Sequence, residues 1–209
     1  MKRLAISATL LSVACVFPSA AAPIAITNSG FESQILPDAN YITSVPTGWT
    51  VDFGTMYGVW NPDNSWFPGG LPEETNIAWL HQAGISQTLA DVYQPGLDYQ
   101  LSVYVGRWID APPDFTIAFM AGGDTLASLT RSASVIPRNT FSLFTLDLPA
   151  LSPGDPRLGT PIRIALSSTG REVDFDALSL EANPIPEPAT WTLLAAGAVL
   201  LALRLHRRR

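Results

Sequence analysis

From residue 76 to residue 180, apolar side chains recur at every second position in short runs, and Gly, Pro, Asn or Asp interrupts each run before a helical period can build up. A chain patterned this way buries one face of each run, which is the signature of strands rather than helices. Gln100 to Val105 puts Leu101, Val103 and Val105 on one face. Phe115 to Phe119 repeats the alternation, Gly122-Gly123-Asp124 turns the chain, and Thr125 to Leu129 returns as the second arm of a hairpin. Further strands are predicted at Asn76 to Leu80, Ile85 to Leu89, Thr140 to Leu146, Ile162 to Leu166 and Glu172 to Leu180. Their spacing is that of an all-β, two-sheet jelly-roll sandwich. Thr43 to Glu74, rich in Pro, Gly, Asn and Trp, reads as long loops in which a binding site is most naturally built.

The two ends read differently. Met1-Lys2-Arg3, an apolar run from Leu4 to Phe17 and small residues from Ser19 to Ala22 follow the order of a secretory signal peptide, assigned to residues 1–21. Cys15, the one cysteine, leaves with it. The exported segment therefore has no thiol, disulfide or cysteine-ligated metal. At the other end, 191–203 carries no charge and is followed by Arg204, Arg207, Arg208 and Arg209, a positive-inside stop signal. That run is predicted to form a transmembrane helix, although it is shorter than the roughly 20 residues a comfortable span needs.

Just upstream, Pro186-Glu187-Pro188 stands in a proline-rich stretch that excludes helix and leaves the chain extended. The motif, the apolar run and the arginine cluster, in that order, resemble the PEP-CTERM sorting signal, taken as residues 184–209. The resemblance implies an exosortase as processing partner. It also implies a chain exported from a double-membraned bacterium, tethered to the inner membrane during processing and then passed to the cell surface or the extracellular polysaccharide matrix.

Residues 22–183 remain as one domain. Its basic side chains are arginines alone, and its net charge is −11 against −6 for the whole chain. Such a surface disfavours nucleic acid, whose phosphates need cationic contacts, and suits cations and neutral ligands. Before the tail, His81 is the only histidine. With no Gly-x-Ser-x-Gly elbow, no Gly-rich phosphate loop and no cysteine, serine hydrolase, nucleotide and zinc chemistry all lack support.

In the last strand, strict alternation puts Asp174 and Asp176 on the face of Leu178 and Leu180, so at least one carboxylate is predicted to head inward, where it must be paired, protonated or metal-bound. Glu32, in Asn28-Ser29-Gly30-Phe31-Glu32, is another acid near the mature N-terminus, and first and last strands of a sandwich commonly lie side by side. These segments, with Gly48-Trp49, resemble carbohydrate-binding modules and other galactose-binding-like jelly rolls. That resemblance implies a calcium ion held by Glu32 and Asp176 with backbone carbonyls. The alternative is a capped Asp176 and a solvated Glu32.

A wider resemblance runs through Gly58-Val59-Trp60-Asn61-Pro62, Asn76-Ile77-Ala78-Trp79, Ile85-Ser86-Gln87-Thr88-Leu89, Tyr104-Val105-Gly106, Ala121-Gly122-Gly123 and Glu172-Val173-Asp174-Phe175-Asp176. These look like the Stig cyclases of cyanobacterial indole-alkaloid pathways, calcium-binding jelly rolls in which an aspartate is general acid and aromatic side chains line the pocket. It implies Asp174 or Asp176 as the acid, with Trp79 facing the pocket where a tyrosine hydroxyl could have bonded it. The residues themselves suggest another role. Trp60, Trp66, Phe67 and Trp108 fall in loop-like segments near acids and amides, as a site for glycan or exopolysaccharide requires, while packing at the open ends of the sandwich would account for the same rings. The first expectation is a noncatalytic surface or matrix protein that binds glycan or another surface component, with a cyclase-like enzyme as the alternative.

Overall fold

The computed structural model describes residues 21–185 together with 196–200, 203, 204 and 206. Twelve strands follow one another: β1 Ala22–Ile24, β2 Asn40–Ile42, β3 Thr50–Phe53, β4 Met56–Asn61, β5 Ile77–His81, β6 Ala83–Val92, β7 Leu97–Arg107, β8 Asp114–Ala121, β9 Asp124–Ser132, β10 Thr140–Leu148, β11 Pro161–Ser168 and β12 Val173–Pro184. They form two antiparallel sheets. One has the order β10-β7-β12-β5-β4-β2, with β1 added to the far part of β12; the other has the order β3-β6-β11-β8-β9. The chain is an all-β sandwich, and the β8–β9 hairpin turns at Gly122-Gly123 as its alternation requires.

The core lies between the sheets. Leu101, Val103 and Val105 of β7 meet Ile117 and Phe119 of β8 and Ile162, Ile164 and Leu166 of β11 in one buried cluster. Phe115 is wedged edge-on between Phe144 and Phe175, at ring centroids of 4.9 and 6.4 Å.

Two expectations fail. Thr43 to Glu74 is not all loop, because β3 and β4 lie within it, and Trp60 sits on β4 rather than in a loop. Gly58 hides β4 from a reading by propensity. A Cβ there would lie 1.8 Å from the Ile42 carbonyl oxygen and 2.8 Å from Trp79 Nε1, so the glycine is a close-approach site within a strand.

The second failure sets the location of the site. Asp174 and Asp176 do not share a face with Leu178 and Leu180. On β12, Asp176 pairs with Tyr104 but Ser179 pairs with Ser102, so β12 carries one extra residue across this step. The bulge falls at Ala177, whose φ is 46°. An inserted residue inverts the alternation. Val173 and Phe175 therefore point into the core with Leu178 and Leu180, while Asp174 and Asp176 point to the outer face of the larger sheet.

Among the described residues no helix is long and apolar enough to cross a membrane. Residues 196–200, 203, 204 and 206, Arg204 among them, are helical, and 191–195, 201 and 202 of the predicted span fall outside the described residues. The signal peptide through residue 20, Pro186, Glu187, Pro188, Arg207, Arg208 and Arg209 also lie outside the described residues.

Candidate functional site

The outer face of the larger sheet is organised in rows by strand register. Gly58 of β4 is opposite Trp79 of β5, Trp79 is opposite Asp174 of β12, Asp174 is opposite Gly106 of β7, and Gly106 is opposite Phe141 of β10. The two glycines leave room for their neighbours. A Cβ on Gly106 would come within 2.5 Å of the Phe141 ring, as one on Gly58 would meet the Trp79 indole.

An outward-facing aspartate at mid-strand should be wet, yet Asp174 is fully buried. Its cover is a second apolar cluster built from Trp60, Phe67, Ile77 and Trp79, with Leu71, Trp108 and Phe141 packed against it. Trp66 and Phe67 come from the β4–β5 connection. Phe67 packs on Phe141 at 4.7 Å and on Trp60 at 6.1 Å, and Trp66 meets Trp108 at 4.8 Å and Trp60 at 5.7 Å. These rings meet edge to face or tilted, so they form a roof rather than a flat platform. Trp60 and Trp79 are buried, Trp108 is half-buried, and Trp66 alone of the four predicted tryptophans is exposed, at 37%.

Among the described residues no N–H or O–H donor reaches either Asp174 oxygen, and Trp79 Nε1, which lies over Gly58 on the β4 side, has no acceptor. Burial pushes the Asp174 carboxyl well above the usual range, and the charge of neighbouring Glu172 pushes it further. Contact between these two carboxyls becomes a hydrogen bond only while one of them holds a proton. Glu172 is itself raised by burial, an effect opposed by the Trp108 Nε1–H it accepts at 2.8 Å. Sequence reasoning did not single out Glu172. The period-two series Glu172, Asp174, Asp176 was its available signal.

Asp176 lies farther along β12 in a different setting. Its Oδ2 accepts the Glu73 N–H at 3.0 Å and its Oδ1 accepts the Ala177 N–H at 2.7 Å. Burial, then the charges of Glu73 and Glu32, outweigh these bonds and raise it to about 8. Glu32 accepts from Thr75 N, Thr75 Oγ1 and Asn76 N, pinning the end of the β4–β5 connection. Glu32 and Glu73 line a polar cleft of about 350 Å³ with Asn28, Ser29, Gly30, Ser33 and Glu74. β1 does lie beside β12, and Leu178 N–H reaches back to the Ser29 carbonyl. Buried Asn76 has an amide oxygen without a partner next to the backbone N–H that Glu32 holds. Among the described residues no three acidic or histidine side chains gather as a metal cluster, so a cation here would draw on amide and carbonyl oxygens as well.

Residues 22–181 match the HpiC1-like family, described as HpiC1 cyclase. The chain belongs to that family. Residues 184–209 of this HpiC1-like chain match the PEP-CTERM protein-sorting motif, which implies export and membrane-anchored exosortase processing. Solved structures agree on the fold. A Stig cyclase, Fisc, from Fischerella sp. TAU, in complex with (3Z)-3-(1-methyl-2-pyrrolidinylidene)-3H-indole, is 24% identical over 80% of this chain and 100% of its own, with a TM-score of 0.68. A cyclase from the same organism, in complex with 4-(1H-indol-3-yl)butan-2-one, is 26% identical over 79% of this chain and 99% of its own, with a TM-score of 0.68. The carbohydrate-binding module TmCBM61, in complex with beta-1,4-galactotriose, overlaps more loosely, at 13% identity over 75% of this chain and 97% of its own, with a TM-score of 0.49. No curated protein matches the HpiC1-like chain.

Proposed function

We propose that the exported HpiC1-like domain is a ligand-binding jelly roll of the cell surface or extracellular matrix, and that its site is the roofed Asp174 on the outer face of the larger sheet. One observation carries this reading. Asp174 is a fully buried carboxyl on an outer sheet face, set beside the Glu172 carboxyl and beneath aromatic rings, with no N–H or O–H donor to it among the described residues. Such a group costs stability wherever it occurs, and a bound ligand is one reason to keep it. A protonated Asp174 would donate, and a glycan supplies acceptor hydroxyls together with apolar faces that pack on tryptophan. The sorting motif supports the address.

A second reading is favoured by the same carboxyl. An aspartate that holds its proton near neutral pH is a general acid, the role the Stig resemblance implies. Asp174, not the backbone-capped Asp176, fits it. Trp79 bears no hydroxyl to orient that acid, and this sets the chain apart from a tyrosine-assisted site.

Asp174→Asn separates the two readings, because an amide can donate a hydrogen bond but cannot transfer a proton. Glycan arrays and polysaccharide pull-down with calcium present should show binding that Asp174→Leu and Trp79→Phe weaken and Asp174→Asn retains. Blank arrays would remove the glycan reading. The indole ketone 4-(1H-indol-3-yl)butan-2-one serves as probe for the second, by quenching of tryptophan fluorescence, and lack of quenching counts against it.

The proposal includes a calcium ion held by Glu32 and Asp176 with neighbouring amide and backbone oxygens. Its support is chemical: all-oxygen donors, an Asp176 raised by burial and then by the charges of Glu73 and Glu32, and a buried Asn76 oxygen without a donor among the described residues. When bound it would neutralise these charges and stiffen the junction of β12 with the β4–β5 connection. Thermal melting should show a higher midpoint in calcium than in chelator, and an unchanged midpoint removes the ion.

A further inference from the structure

We infer that the Trp66–Phe67 tip of the β4–β5 connection is a hinged lid, and that ligand reaches Asp174 when this tip lifts. This rests on the reading of the Asp174 face as the binding site and adds how that site is gated. Asp174 is closed off from solvent, so a rigid roof would make it unreachable.

The tip is built to move as a unit. Its backbone bonds are its own turns: Trp66 N–H to the Asp63 carbonyl at 3.1 Å, Gly70 N–H to the Phe67 carbonyl at 2.9 Å, and Ser65 N–H to Asp63 Oδ1 at 2.8 Å. None of these breaks if the turns swing together. The tip takes no part in strand pairing, and one bond latches its backbone to the opposite wall, from Asn139 Nδ2 to the Trp66 carbonyl at 2.6 Å. On the exit side Gly69 and Gly70 have open space where a Cβ would stand, and Gly70 has a φ of 83°, a conformation glycine adopts freely. A pair of glycines with open space beside them gives the backbone freedom to turn there.

What lies beneath favours opening. Lifting Phe67 exposes apolar rings to water, which resists the motion, but it also hydrates the Asp174 carboxyl, which when the lid is shut is dry and faces the Glu172 carboxyl. The closed state is therefore held by stacking and the latch against a desolvated carboxyl floor. A ligand that bonds to that floor favours the open form or a form closed over itself.

Carboxyl footprinting tests the lid without any ligand. The full exported domain is treated with a water-soluble carbodiimide and glycine ethyl ester, and labelling of Asp174 is followed by mass spectrometry. Asn139→Gly removes the latch and still tolerates the left-handed backbone of that position, where φ is 62°. Loss of one hydrogen bond should raise the Asp174 labelling rate about fivefold, with the melting midpoint nearly unchanged. An unchanged rate in a folded Asn139→Gly overturns the lid. The urea dependence of Asp174 labelling in the unmodified protein gives an independent check. A slope well below that of global unfolding supports local opening, and an equal slope overturns it. Blank glycan arrays would leave both readouts standing, so failure of the lid and failure of the binding reading are told apart.

Discussion

Asp176 makes the stability of this protein depend on pH in a direction opposite to that of a salt-bridged carboxylate. In the folded chain its carboxyl keeps its proton up to about 8, whereas an unfolded aspartate releases it near 4, so between those values the unfolded state is the one that ionises. The stabilisation is complete below pH ~4 and is lost progressively as pH rises to about 8. Each pH unit in that window removes about 1.4 kcal/mol, or roughly 3 kcal/mol from pH 5 to pH 7. Asp174, also raised, adds a contribution of the same sign. Urea unfolding in chelator, followed by tryptophan fluorescence at pH 5, 6 and 7, measures the slope. Asp176→Asn should be less stable overall, since an amide satisfies only one of the N–H groups of Glu73 and Ala177, but it should lose about 1.4 kcal/mol per unit of the slope. Saturating calcium should flatten the wild-type slope as well, because an ion that binds the ionised carboxylate stabilises the form that high pH favours. A mutant slope equal to that of the wild type would refute the protonated Asp176.

Gly58→Ala should destabilise by about 2 kcal/mol or more, read as a fall in the urea midpoint, because the new methyl collides with the Ile42 carbonyl and the Trp79 indole. Ala177→Gly should raise stability by about 0.5–1 kcal/mol in the same assay, since glycine relieves the left-handed backbone of the bulge. A loss on that substitution would mean the bulge is not at Ala177. Phe115→Ala should cost about 3–5 kcal/mol, given the ring's full burial between Phe144 and Phe175. Replacing Pro186-Glu187-Pro188 with three alanines should leave the full-length precursor uncut when the chain is co-expressed with an exosortase, as intact mass will report.

The strands from β5 to β12 were legible because a half-buried strand writes period two into its own residues, and Gly122-Gly123 turns a hairpin wherever it stands. The sorting tail was legible for a different reason, since such a signal is read by other proteins as a linear pattern. β4 escaped because Gly58 serves a close approach to Ile42 and Trp79 rather than local propensity. The four tryptophans were identifiable as a group, but their exposure was not. Trp60 is buried because Phe67 and Trp108 converge on it, whereas Trp108 is half-buried and Trp66 is exposed.

By itself the sequence determined an exported, cysteine-free, acidic all-β domain with a sorting tail, and it named the acids of the last strand. The tertiary structure alone decided which way those acids face. One residue, Ala177, adopts a left-handed conformation and inserts an unmatched step between β12 and β7, which turns Asp174 and Asp176 from the core to the outer face. A bulge shifts register without changing composition or spacing, so alternation read along one strand cannot reveal it. The β4–β5 connection then folds over that outer face, where Phe67 packs on Phe141 and Glu73 N–H reaches Asp176, contacts between residues far apart in the chain.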